Sequence, residues 1–376
     1  MKNLKNLKNI TFGIAFISIM FNSSAQINQV DFIKGGINDA QILFEQYLTP
    51  YANCFGANLN AGWYNTAKPH KLGGFDITAT INTAWAPDLA RTFDLATLDL
   101  EATIIGEGIA PTAAAKLSAD KPELAYYADF QGNPGDPIKI ASYEMPGGSG
   151  VNAIPLPMAQ LGLGLPWGTD VTVRYLPELD LGNVGSIGLW GVGLKHSILQ
   201  HIPLFKRLPV LEASVQGGYT DLTTFANINF QPVGYEVLEL PSAPEIFFED
   251  QKITLGVTAW TANIVLSQTL PVITLYQAIG YSNSNTSLAL TGNYPVNRLE
   301  ADPSDPNFGK IIVDYDEANP ESDAIVTDPF DIEIQNSKDL RLNAGFRIKL
   351  GVITFHFDYT KANYSVFTGG IGISFR

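Results

Sequence analysis

The sequence predicts an all-β fold, a transmembrane antiparallel β-barrel of twelve to fourteen strands preceded by a short N-terminal helix or plug. Three observations carry that expectation. Apolar residues recur with period 2 in segments of about ten residues, the length with which a tilted strand crosses an outer membrane. The opposite faces hold mostly Thr, Asn, Ser and Gly, and only 16% of the 376 residues are charged, against roughly 25% in an ordinary soluble domain. Finally, the chain opens with the features of a secretory leader. A soluble sandwich alternates in a similar way, but its outer face would carry Lys and Glu.

The leader comes first. Lys2, Lys5 and Lys8 precede an apolar run from Ile10 to Phe21, and Ser23, Ser24 and Ala25 supply the small side chains that a signal peptidase reads, so residues 1–25 are expected to be removed ahead of Gln26. The run is too short for a membrane-spanning helix, which needs about 20 apolar residues. A helical segment is expected over residues 26–52. Asn38 is placed as its cap, Gln41 lies three residues on, Ile37 and Ile42 suit a hydrophobic staple, and Pro50 would end it near Thr49. Its apolar face includes Ile42, Leu43, Phe44, Tyr47 and Leu48, of which Ile42, Phe44 and Leu48 are the candidate plug contacts. The helix either closes the periplasmic mouth of the barrel or packs beneath the wall, and the first is favoured because a short helix needs a surface to bury against.

The barrel itself is expected over residues 53–376. Phe75, Ile77, Ala79, Ile81, Thr83 and Trp85 share one face, with Asp76, Thr78, Thr80 and Asn82 opposite. The clearest strand puts Leu340, Leu342, Ala344, Phe346, Ile348 and Leu350 on one face and Arg341, Asn343, Gly345, Arg347 and Lys349 on the other. After a turn at Gly351, Ile353, Phe355, Phe357 and Tyr359 alternate with Thr354, His356, Asp358 and Thr360. Further candidates are 53–64, 159–165, 169–176, 186–196, 210–220, 252–266 and 272–282. With apolar faces toward lipid, the lumen-facing candidates are Asp76, Arg174, Arg341, Arg347, Lys349, His356 and Asp358. Between Lys252 and Leu266 the apolar phase changes from odd to even, which a bulge near Ala259 would produce. The glycines of 185–194 leave that strand without a chosen face, either because something inside the barrel approaches the wall closely or because the strand is simply poorly patterned, and the sequence does not favour the first. At the C-terminus Ile371, Ile373 and Phe375 form a closing strand that resembles the assembly signal of outer-membrane barrels, apart from the extra Arg376.

Parity then sets the topology. An even number of strands with both termini in the periplasm makes Leu350-Gly351 and Pro166-Trp167-Gly168 short periplasmic turns and sends two long interruptions, 105–157 and 285–338, outside. Twelve strands are expected, or fourteen if 223–230 and 286–294 also join the wall. Residues 298–339 hold 12 acids against 3 bases, so this outer loop carries much of the formal charge of −14.

The runs Asn60-Ala-Gly-Trp63-Tyr64-Asn65-Thr66-Ala67-Lys68-Pro69-His70-Lys71-Leu72-Gly-Gly-Phe75-Asp76, Gly164-Leu165-Pro166-Trp167-Gly168-Thr169-Asp170 and Gly193-Leu194-Lys195-His196-Ser197 resemble an uncharacterised family of Bacteroidota outer-membrane β-barrel proteins, across the whole mature chain. That resemblance implies location and fold and transfers no site. A looser, architectural similarity is to the long-chain fatty acid transporters of outer membranes, which have fourteen strands and an N-terminal plug.

Sites of chemistry are sparse. Four histidines (His70, His196, His201 and His356) include no His-Glu-x-x-His, and Gly147-Gly148-Ser149-Gly150-Val151 misses the last glycine of a nucleophile elbow. Asp314, Asp316 and Glu317 offer hard oxygen ligands but lack the spacing of a calcium loop. No enzyme activity, cofactor or metal is expected, and the acidic balance argues against nucleic acid as a partner. The single cysteine forbids an intrachain disulfide. Three functions stay open: a passive channel or uptake route for small, including hydrophobic, solutes; a scaffold or accessory subunit that meets protein partners at its outer loops; and, last, an enzyme. Outer-membrane lipid is the partner common to all three.

Overall fold

The structure is a computed structural model and describes residues 37–128, 138–180, 185–202, 210–227, 250–295, 297–299, 304, 306, 311–313 and 325–375. The expected leader, residues 1–25, lies outside the described residues, as do Asp314, Asp316 and Glu317. Ten strands form one closed barrel. They are β1 (Phe75–Trp85), β2 (Ala153–Leu165), β3 (Thr169–Asp180), β4 (Ser186–Ser197), β5 (Leu211–Asn227), β6 (Lys252–Thr269), β7 (Ile273–Thr291), β8 (Phe330–Leu350), β9 (Ile353–Lys361) and β10 (Val366–Phe375). Each pairs antiparallel with the next, and β10 closes on β1 with Phe75 opposite Phe375. Closure gives every wall strand a neighbour on both sides, though β8 outruns β9, which pairs with Leu342–Leu350 alone, and β2 meets β3 only over Gln160–Leu165.

Ten strands replace the expected twelve to fourteen, for two reasons. Residues 223–227 and 286–291 extend β5 and β7, which run 17 and 19 residues, rather than forming strands of their own. Residues 53–64 are helix and extended plug, not wall. The long connections fold into small ribbons apart from the barrel: Thr92–Asp94 with Ile109–Pro111, a three-stranded piece of Thr103–Ile105, Glu123–Ala128 and Ile138–Glu144, and Asn293–Pro295 with Ile325–Thr327.

Exposure is inverted relative to a soluble domain. On β8, Leu340, Leu342, Phe346 and Leu350 are exposed on the outer face while Arg341, Asn343 and Arg347 are buried inside. The same holds on β1, where Ile77 and Ile81 are exposed and Thr78, Thr80 and Asn82 are buried, and on β10, where Ile371, Ile373 and Phe375 are exposed and Thr368 and Ser374 are buried. Such a surface is stable only against hydrocarbon. From Leu340 to Leu350 the chain covers about 34 Å, or about 26 Å of height at a tilt of about 40°, close to the apolar band of an outer-membrane barrel. One border of the band is aromatic, with Trp190 against Tyr219 at 5.6 Å and Trp260 against Tyr281 at 5.7 Å between ring centroids.

Beyond that girdle the inward faces turn apolar. Val257, Leu288, Leu290, Ile332 and Ile334 are buried, and Ile253 and Leu255 pack against the same core. This explains the phase change in β6 without a bulge at Ala259: β6 pairs with both neighbours in unbroken register from Lys252 to Thr269. Its odd-numbered residues point inward throughout, and only the medium outside changes, from lipid below the girdle to water above it. The irregularity falls instead between β7 and β8, where Ser284 opposes Ser337 and Thr286 opposes Ile334. The extra residue in β8 lets both Ile332 above and Arg341 below face inward.

Helix α1 (Ile37–Asn60) lies inside the long-loop half of the barrel. It runs eight residues past the expected limit of 52 and straight through Pro50. A proline in a helix costs about 3 kcal/mol, yet burial of Leu43, Phe44, Tyr47, Ala52 and Leu59 against wall and loops outweighs it. Asn38 does not cap the helix; it sits in the first turn and donates to Glu101 at 3.4 Å. Nor does α1 close the mouth at the short turns. Its first residues pack among the long loops, and the chain then descends through the lumen to enter β1 at the opposite end.

An arginine at Ala344, exposed on the outer face midway along the β8 band, should destabilise the barrel folded into lipid vesicles by about 2 to 4 kcal/mol. An unchanged denaturant titration would mean that Ala344 does not meet hydrocarbon.

Candidate functional site in the barrel lumen

The lumen is where the chain gathers its buried polar groups, and most converge on the end of α1. The last carbonyls of a helix have no partner within it. Here the wall supplies them. Arg174 of β3 donates from Nη1 to the Leu59 carbonyl at 2.8 Å and from Nη2 to that of Ala61 at 2.6 Å, with its Nε on Gln160 at 3.2 Å. Arg341 of β8 donates to the Asn60 carbonyl, and Asn82 of β1 to that of Asn58 at 2.8 Å. In return Asn58 donates to Ile154 at 2.7 Å and Asn60 to Asn283 at 3.3 Å. Two guanidinium charges at a helix C-terminus also meet the favourable end of its dipole. Gly62 follows with φ +70°, a left-handed turn-off that redirects the chain without a Cβ penalty.

Trp63 comes next. The Arg174 guanidinium lies 3.6 Å from the centroid of its ring, and on the wall a Cβ at Gly193 of β4 or Gly218 of β5 would run into that ring. Gly193, one of the glycines that leave β4 without a clear face, thus forms with Gly218 the recess that receives Trp63. Lower down, Ala67 N–H donates to Ser267 at 3.0 Å, and the Tyr64 ring meets Tyr276 edge-on at 6.2 Å. His70 ends the descent. Its backbone N–H donates to Asp170 at 2.8 Å, its Nδ1 lies 3.1 Å from the other oxygen of that carboxylate, and Lys195 reaches the same oxygen at 3.0 Å. Asp76 stands 3.8 Å from His70 Nε2, at the first residues of β1.

At the other end the long loop clamps the start of α1. Asp39 accepts from Glu101 N–H at 2.9 Å, from Ala102 N–H at 3.1 Å and from the Tyr126 hydroxyl. Burial pushes the Tyr126 phenol well up, and Tyr143 and Asp39 beside it add to the effect. Tyr47 donates to the Gly147 carbonyl at 2.8 Å, and Tyr51 bonds Ser149 and the Val151 carbonyl. The near-miss of a nucleophile elbow is therefore a helix clamp.

The side of the lumen formed by β8, β9, β10 and β1 holds a second group of buried polar side chains. Asp358 accepts from Tyr276 at 2.9 Å and from Asn343 at 2.7 Å. His356 is buried, yet neither ring nitrogen has a protein hydrogen-bond partner, and the same is true of Thr80 Oγ1 and Ser374 Oγ. Arg347 is buried on the same inward face, while Lys349 is half-buried near the short-turn end. All seven residues expected to line the lumen thus sit on inward faces, with Arg174, Arg341 and Asp76 facing the plug. Of the plug candidates, Phe44 is buried and packs on Phe330 at 5.5 Å, whereas Ile42 and Leu48 are half-buried. Sequence reasoning missed Asn58, Asn82, Trp63 and Gly218, whereas Gly193 lies in the glycine-rich segment singled out for a close approach from inside. The run Asn60-Ala-Gly-Trp63 was visible, and a glycine two residues past an Asn, followed by Trp, is the signature of a helix stop.

The chain belongs to a family described as "Family of unknown function (DUF6588)", which matches residues 1–375. No curated protein matches it. Among solved structures, the transport unit of the autotransporter AIDA-I from Escherichia coli is 8% identical, with a TM-score of 0.30 over 88% of this chain and 99% of that one. The translocator domain of autotransporter NalP from Neisseria meningitidis is also 8% identical, with a TM-score of 0.25 over 90% and 99%. The outer membrane channel DcaP of Acinetobacter baumannii is 10% identical, with a TM-score of 0.17 over 84% and 100%.

The Trp63 recess can be tested by filling it. Gly218→Ala should destabilise the folded protein by about 1 to 3 kcal/mol through overpacking, and adding Trp63→Ala should recover part of that loss. Additive losses in denaturant titrations of the two single variants and the double variant would show that the residues do not meet.

Proposed function

We propose that this member of the family is an integral outer-membrane barrel whose lumen is a solute conduit held shut by its own N-terminal segment. The inverted exposure of the wall supports residence in a membrane, and the secretory leader expected from the sequence supports the outer one. A single observation carries the conduit: buried polar atoms without a protein partner line the lumen around the plug. They include Thr80 Oγ1, His356 Nδ1 and Nε2 and Ser374 Oγ toward β9, β10 and β1, and Ser214 Oγ, Gln216 Nε2, Thr220 Oγ1 and Asn283 Oδ1 toward β5 and β7. Buried polar groups without protein partners are normally met by water. A hydrated crevice beside a docked plug is the path a solute would follow. Its lining of Thr78, Thr80, Thr354, His356 and Arg347 suits small polar solutes better than the hydrophobic ones considered from sequence.

The closed state rests on the carbonyls of residues 58–61, so weakening their partners should open the barrel. In planar bilayers the unaltered protein should show little conductance. The double variant Arg174→Gln and Arg341→Gln should conduct at least several-fold more while keeping the heat-modifiable gel mobility of a folded barrel. A folded variant that stays silent would overturn the conduit and favour the second reading, a scaffold, which the ordered loop 86–128 clamped to α1 supports.

A further inference from the structure

Outside the lumen, at the short-turn end, two histidines meet. His196 lies near the end of β4, and His201 closes the single turn Leu199–His201 that follows it. Their Nε2 atoms are 3.1 Å apart, with the rings stacked at 5.3 Å between centroids and 26° between planes. Thr169, paired with His196 across β3 and β4, holds its Oγ1 2.8 Å from His196 Nδ1. Gln200 Nε2 lies 3.2 Å from each Nε2 and donates to the Trp167 carbonyl at 2.6 Å.

At 3.1 Å the two Nε2 atoms meet as an N–H···N hydrogen bond, one ring donating to the bare nitrogen of the other, and a cation takes the place of that proton when both nitrogens ligate. When Nδ1–H of His196 donates to the Thr169 hydroxyl, the tautomer is fixed and Nε2 is left bare, which is how a ligating histidine is oriented by its second nitrogen. Zinc–nitrogen bonds of about 2.0 to 2.1 Å at a tetrahedral angle place two ligand nitrogens roughly 3.3 Å apart. The observed pair needs to open by only a fraction of an ångström. His201 is exposed, so a cation reaches the pair from water. The other two histidines are buried within the lumen and take no part.

We propose that His196 and His201 form a two-imidazole site for a divalent transition cation of the zinc, nickel and copper class at the short-turn rim of the barrel, with Thr169 as the positioning residue. Gln200 covers the pair, and on binding its amide turns to offer Oε1 as a third donor. Imidazole donors select against calcium and magnesium, which require oxygen. Among the described residues no three His, Cys, Asp or Glu side chains are placed together to hold a metal ion, so the remaining positions belong to Gln200 and water.

Titration calorimetry of the full-length protein in detergent, with zinc chloride or nickel chloride, is the test. One equivalent should bind, binding should disappear in His196→Ala and in His201→Ala, and Thr169→Val should weaken it several-fold. Calcium chloride should give no comparable heat. Copper(II) bound to the unaltered chain should show two nitrogen couplings by electron paramagnetic resonance, a readout that does not depend on whether the variants fold. Absence of zinc and nickel binding, binding retained in both histidine variants, or a copper spectrum without nitrogen coupling would each overturn the site.

Discussion

The side chain of Arg174 is completely buried within the barrel, and the arrangement of the lumen follows from keeping that charge there. Removing a guanidinium from water costs several kcal/mol even after relaxation, and removing its partners costs more. Among the described residues the wall offers it only Gln160, so compensation comes from the plug: the carbonyl of Leu59 in the last turn of α1, that of Ala61 just past it, and the face of Trp63. The helix therefore has to end where it does. Trp63 has to lie over the guanidinium, and the wall behind Trp63 has to lack side chains, which Gly193 and Gly218 provide. Wall and plug are each incomplete in polar terms without the other, so they behave as one folded unit.

A second constraint acts along the barrel axis. In the long-loop half the inward face is apolar, and α1 packs on it through Leu43, Phe44 and Leu59. In the short-turn half the inward face is polar, and an extended segment is tied to it through Ala67 and His70. Below the aromatic girdle the outer face must be apolar, so polar residues go inside. Above the girdle the outer face meets water and the apolar residues turn inward. The boundary between the two regimes is the aromatic row of Trp190, Tyr219, Trp260 and Tyr281.

That boundary marks how far the sequence could be read. Where one regime holds along a whole strand, as from Leu340 to Leu350 or from Phe75 to Trp85, period 2 assigns element and face together. Where a strand crosses from one regime to the other, as β6 does between Val257 and Trp260, the apolar phase reverses although the backbone is regular, and the pattern imitates a bulge. The true bulge in β8 is hidden for the converse reason: it preserves inward burial above and below by shifting the chain one residue, among Gln335, Asn336 and Ser337. Strand number was overcounted because β5 and β7 continue past the membrane under a different pattern. The helix was cut short because Pro50 and the alternation of 53–64 are local signals, while its continuation depends on a surface supplied by wall strands distant in sequence. The lumen-facing side chains were legible from parity alone; their partners were not, since no spacing shows that Arg174 meets the carbonyl of Leu59.

The two halves of the plug differ in how they can let go. Apolar contacts such as Phe44 on Phe330 have no substitute in water, and undoing them exposes area at about 25 cal/mol per Å². The hydrogen bonds of the lower segment are nearly exchangeable, since each is worth a net 0.5 to 1.5 kcal/mol, or about 1.5 to 3 where a charge is involved, once water takes the vacated place. Motion is accordingly cheapest between Ala61 and Gly74, with Gly62 at its upper end already in a left-handed turn and Gly73 at its lower end with φ +77°. The helix is then the fixed element, anchored by the loops through Asp39, and the extended segment is the part that can yield. If the barrel is the conduit proposed above, these energetics would open it from the short-turn side, beneath a helix that stays in place.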